Sequence, residues 1–111
     1  VKRRVRIVGV KGEVAVEVDG DFYELMLVNP KGQSGDIVPE WGRGSYKRGR
    51  WLLAHSMILT ATGCDRLAEM CYREFAEKVV KTMPTDRPWR IPVNAIISTV
   101  DQMEARYRDH G

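Results

Sequence analysis

The residues best suited to chemistry lie together between positions 41 and 51, as Trp41-Gly42-Arg43-Gly44-Ser45-Tyr46-Lys47-Arg48-Gly49-Arg50-Trp51. Arg43, Lys47, Arg48 and Arg50 have no acid among them, and clustered cations supply counter-charge to phosphates. Trp41, Tyr46 and Trp51 could stack on bases. Ser45 could cap a helix whose free N–H groups face an anion. The glycine spacing does not fit a phosphate loop, which needs G-x-x-x-x-G-K followed by Ser or Thr. The candidate binding set is therefore Trp41, Arg43, Ser45, Tyr46, Lys47, Arg48 and Arg50, as a surface for a macromolecule. A structural alternative stands beside it. Glu40-Trp41 could plug the core, the glycines could let the chain turn, and the cations could simply be solvated.

The remaining candidates for catalysis are sparse. His55 precedes Ser56, but neighbours on a helix point about 100° apart, whereas a nucleophile and its base must lie within hydrogen-bond reach. His55 reads as a residue at the edge of the core. His55, Cys64, Cys71 and His110 lack the C-x-x-C or H-x-x-x-H spacing of a zinc site, so no metal and no cofactor is expected. Glu40 is the one carboxylate beside an aromatic, and a salt bridge to Arg43 or Arg50 is its expected role. Cys64 and Cys71 stand about two helical turns apart, too far to pair within one helix. No catalytic constellation emerges, and the expectation is a protein that is not an enzyme.

The elements that must position these residues can be read from pattern. Val5 to Val10 is a β-branched run, and Glu13-Val14-Ala15-Val16-Glu17-Val18 alternates with period two, predicting a strand with Val14, Val16 and Val18 on its buried face. Asp19-Gly20 is a hairpin turn pair, because both central residues need positive φ. Phe22 to Val28 reads as a third strand. Residues 29–50 hold five glycines and two prolines, an irregular connection longer than most. A first helix is predicted over about 46–62, apolar on nearly every side, and closed by Gly63. A second is predicted over about 65–83, where Leu67, Cys71, Phe75, Val79 and Met83 form an i,i+4 ladder. Its solvent side carries the acid-first pairs Glu69/Arg73, Glu74/Lys78 and Glu77/Lys81. Trp89-Arg90-Ile91 reads as a short extended piece, and a third helix begins near Pro92. Strands followed by helices predict an α+β fold over residues 1–111 as one domain: a three-stranded antiparallel meander, a glycine-rich loop and three helices on one sheet face.

Charge and composition narrow the class. The chain has 111 residues and a formal net charge of +3, with ordinary hydrophobic and charged fractions. Residues 2–6 and 43–50 are basic, whereas 13–24 hold Glu13, Glu17, Asp19, Asp21 and Glu24 and no base. The first basic block is expected to neutralise the acidic one across adjacent strands. No apolar run approaches the ~20 residues of a membrane span, and the basic start is not followed by a signal-peptide core. Unpaired cysteines fit a reducing compartment, and a cytoplasmic location is expected.

The stretch Glu40-Trp41-Gly42-Arg43-Gly44-Ser45, with Leu53-Ala54 and Ile58-Leu59 behind it, resembles a family of small prokaryotic and phage proteins of unknown function. These carry an E-W-G-x-G-S motif before an Ala/Leu-rich helix. Val18-Asp19-Gly20, Phe75, Val79-Val80, Pro84 and Trp89 match further points of that pattern. The basic segment 46–50 is a departure, since the family places its apolar helix closer to the serine. The resemblance implies a small cytoplasmic protein, phage- or mobile-element-encoded, with no assigned activity. Two functions follow as expectations. One is a non-enzymatic interaction protein that docks on a host protein or on its own copy, favoured if the sheet edge exposes apolar residues. The other is a nucleic-acid-binding module using residues 2–6 and 43–50.

Overall fold

The computed structural model describes residues 4–10, 13–32, 47–84 and 86–110, with backbone alone at 47, 48, 109 and 110. It is an α+β arrangement of one antiparallel sheet and three helices. The order along the chain is β1 (Val5–Val10), β2 (Glu13–Val18), β3 (Asp21–Glu24), α1 (Lys47–Thr62), α2 (Asp65–Lys78), β4 (Trp89–Pro92) and α3 (Val93–His110). The strands lie in the order β3-β2-β1-β4.

The first two strands pair with Val5 opposite Val18 and Ile7 opposite Val16. The β2–β3 turn is Asp19-Gly20, with φ of 51° and 92°, as its residue types require. The sheet has four strands where a three-stranded meander was expected. The fourth is the extended piece at Trp89, which pairs with β1 so that Trp89 faces Gly9 and Ile91 faces Ile7. The strand predicted to reach Val28 ends at Glu24, because Leu25 turns into the core.

The core lies between the helices and the sheet face that carries Ile7, with Val14, Val16, Trp89 and Ile91 packed against it. Leu53, Met57 and Ile58 of α1 and Cys71 and Phe75 of α2 are fully buried there, as are Ile96 and Val100 of α3. The near-uniform apolarity of α1 fits its position, since α2 packs along it and α3 also touches it. Gly63, at φ 66°, ends α1 in the left-handed region. The ladder of α2 stops as an α-helix at Lys78, and a 3-10 turn over Val80–Thr82 seats Val80 in the core. The helix α3 also packs on β1 and β4. Among the described residues no helix is long and apolar enough to cross a membrane.

The expected cross-strand neutralisation is present. The Arg6 guanidinium on β1 pairs with the carboxylate of Glu17 opposite it on β2. Two residues further on, the Asp19 carboxylate accepts a 2.9 Å bond from the backbone N–H of Arg4.

Candidate interaction surface

Of the candidate binding residues, Trp41, Arg43, Ser45 and Tyr46 lie outside the described residues, as does Glu40. Lys47 and Arg48 form the start of α1, so the basic segment is partly helical backbone rather than loop. Arg50, in the first turns of the same helix, is 1% exposed. Its Nη2 donates to Glu77 Oε1 of α2 at 3.2 Å, and that guanidinium holds the Glu77 carboxyl below the usual carboxylate range. Arg50 thus serves the α1–α2 contact and is not presented to a partner. Trp51 is half-buried, edge-on to Tyr72 at 6.0 Å between centroids, with the Arg73 guanidinium 4.9 Å over its ring.

His55 is 3% exposed, deeper than the boundary position its sequence context suggests. Its Nε2 lies 2.9 Å from Glu69 Oε2 on α2, and its Nδ1 lies 2.8 Å from the carbonyl oxygen of Val28. Glu69 does not pair with Arg73, the expected i,i+4 partner. Its other oxygen accepts a 2.9 Å bond from the backbone N–H of Lys31. Ser56 Oγ donates to the Leu52 carbonyl at 2.7 Å and accepts from the Val28 N–H at 2.9 Å. Both ring nitrogens of His55 are therefore engaged by oxygens other than Ser56, so the pair is not arranged as nucleophile and base. What these residues form is a clamp. It holds the chain from Val28 to Lys31 down on α1 and α2.

That clamp fixes the far end of a segment whose near end is β3. All four residues of β3 are exposed, and the chain beyond it dips in at Leu25 before Met26 and Leu27 emerge. Phe22 is 63% and Met26 75% exposed, with Tyr23 and Leu27 about half exposed. Phe22 and Glu24 share the face of Glu17 and Ala15, while Tyr23 shares the core-side face of Val16. A shallow groove of about 540 Å³ runs along this edge between Glu13, Ala15, Phe22, Tyr23, Glu24 and Leu27.

The two sheet edges are built differently. At β4, Pro88 and Pro92 bracket the strand, and α3 follows directly and packs on it. Proline and helical cover are the usual ways of closing an edge. The β3 edge has neither proline nor lysine and carries two adjacent aromatics. The sequence holds this signal in Phe22-Tyr23 and Met26-Leu27. It is not readable as a surface until the strand order puts β3 outermost.

Among the described residues no group of three His, Cys, Asp or Glu converges as metal ligands would. Cys64 and Cys71 are free thiols, and burial pushes the Cys71 thiol up to about 11.

No family model, curated protein or solved structure matches this chain.

Proposed function

We propose that this chain is a non-enzymatic interaction protein that docks on another protein through the β3 edge and the apolar residues that follow it. The observation carrying the reading is the exposure of Phe22, Tyr23, Met26 and Leu27 on an edge strand that no helix covers among the described residues. An edge strand left uncovered among the described residues is a template for a further strand. The deep engagement of His55, Ser56 and Arg50 in internal bonds supports a role without chemistry of its own. A host protein fits the resemblance at Glu40 to Ser45.

The test is affinity capture from a lysate of the source organism, with and without nuclease, using the wild type and Phe22→Lys/Met26→Lys. Nuclease-resistant partners that the double variant loses support the reading. Partners that vanish with nuclease would instead favour nucleic acid held by residues 2–6 and 43–50, and partners indifferent to the variant would remove the edge from consideration.

A further inference from the structure

The docking reading leaves the kind of partner open, and the sheet itself narrows it. The β2–β3 hairpin carries Glu13, Glu17, Asp19, Asp21 and Glu24 and no Lys or Arg. On its inner side it is paired with β1, whose charged residue is Arg6, preceded by Arg4. There the charge match is made by Arg6 against Glu17, with the backbone N–H of Arg4 bonded to Asp19 and apolar Ile7 opposite Val16. The hairpin has thus already chosen one neighbour strand by placing cation opposite acid and apolar opposite apolar. Its outer side presents the same chemistry and, among the described residues, pairs with no strand: Asp21, Phe22, Tyr23, Glu24.

Resting on the docking reading above, we infer that the occupant of the β3 edge is an extended segment of another protein with the pattern basic–apolar–apolar–basic. Paired antiparallel, its two apolar residues lie opposite Tyr23 and Phe22 and its two cations opposite Glu24 and Asp21. The pattern is symmetric, so a parallel strand satisfies it as well. A second copy of this chain is a poor occupant. In-register antiparallel pairing of two β3 strands sets each Asp21 opposite the other copy's Glu24, and like charges directly opposite are destabilising. Shifted registers still crowd the carboxylates of both copies into one short ribbon.

The experiment is a titration of the isotope-labelled protein, followed by its backbone amide spectrum, with the peptides acetyl-Thr-Lys-Val-Val-Lys-Thr-amide, its Gln-for-Lys analogue and its Glu-for-Lys analogue. The lysine peptide is expected to shift amides within residues 21–27 and to bind about tenfold tighter than the glutamate peptide at low salt, since two opposite-charge pairs replace two like-charge pairs. Methylating both valine nitrogens blocks whichever of the two N–H groups faces β3 and is expected to abolish binding. Asp21→Lys/Glu24→Lys, two exposed positions, is expected to invert the preference in favour of the glutamate peptide. Equal binding of all three peptides at β3 would overturn the charge rule and leave edge docking standing. Binding of the lysine peptide that survives N-methylation, or that shifts residues elsewhere, would overturn strand addition. If none binds at β3 while lysate partners still depend on Phe22 and Met26, the strand class falls and docking by the apolar side chains remains. Two chains joined through β3 in sedimentation, lost on Asp21→Lys/Glu24→Lys or not, would contradict the choice of occupant.

Discussion

The indole of Trp89 occupies the place a side chain on Gly9 would need. A β-carbon at Gly9 would meet three atoms of that ring well inside contact distance. The two residues are cross-strand partners in the β1–β4 pair. Glycine is thus the residue that lets a wide ring sit close against β1 where the four-residue strand β4 pairs with it. Gly9→Ala is expected to destabilise by about 1–3 kcal/mol, the usual range for overpacking a filled site. Urea unfolding of the variant measures it, and an unchanged midpoint would show that Trp89 is not confined as described.

The clamp at His55 predicts a graded series. His55 bonds Val28 and faces Glu69, and Glu69 holds Lys31, so three separate stretches of chain meet at two side chains. His55→Ala leaves a part-buried carbonyl and a carboxylate without that partner and is expected to cost about 1–2 kcal/mol. Glu69→Gln keeps an acceptor oxygen and should cost less than Glu69→Ala. Amide exchange at Val28 and Lys31 should speed up in the alanine variants before exchange in α2 does. Equal loss of protection everywhere would contradict a local clamp.

Acid stability follows from three carboxylates. Glu74 is held below the usual carboxylate range chiefly by its bond from Lys78, Glu77 by Arg50 and Glu104 by Arg66. A depressed folded value means that the unfolded chain takes up the proton first as pH falls. The stability these pairs contribute is therefore fully present above the unfolded carboxylate value of about 4.3 and is lost as pH drops below it, through the folded values. The urea midpoint should be flat between about pH 7 and 5 and decline below about pH 4.5. Lys78→Gln/Arg66→Gln should shallow that decline, and a wild-type midpoint unchanged down to about pH 3 would refute the assignment.

The thiols should separate in reactivity. Cys64, half-buried at the start of α2, should be open to an alkylating reagent in the folded protein, while Cys71 is fully buried with its thiol pushed up to about 11. Modification of Cys71 should then follow the unfolding rate. Because the folded value is raised, stability from this group is complete below the ordinary thiol value of about 8.5 and fades as pH climbs toward the folded one. Equal labelling rates at Cys64 and Cys71 would contradict the burial.

Much of this fold is legible in residue order, where the cause is local. Asp19-Gly20 can only be a turn of its kind, Gly63 must end a helix, and the acid-first spacings give Glu74–Lys78 and Glu77–Lys81 as seen. What is hidden depends on residues far apart in sequence. Trp89-Arg90-Ile91 becomes a strand because Gly9 makes room. His55 is buried because its partners, Val28 and Glu69, are brought to it from another segment and another helix. Arg50 looks like a free cation until α2 supplies Glu77. The β3 edge is the clearest case, for Phe22 and Met26 read as one more strand until the order β3-β2-β1-β4 leaves them outside.

The edge side chains should matter little to folding. Phe22 and Met26 are both well exposed, so Phe22→Lys/Met26→Lys should shift stability by less than about 0.5 kcal/mol per position. Thermal unfolding checks this, and a large loss would mean that the two residues serve the fold rather than a partner.

A partner gripped at β3 would leave its footprint on the backbone amides of that strand. The most direct test is amide hydrogen exchange of this chain alone and in the complex recovered from lysate. Slowed exchange is expected only from Asp21 through Leu27, with α1, α2 and α3 unchanged. Slowing centred on the basic start of α1, with Asp21 through Leu27 exchanging as in the free protein, would contradict it.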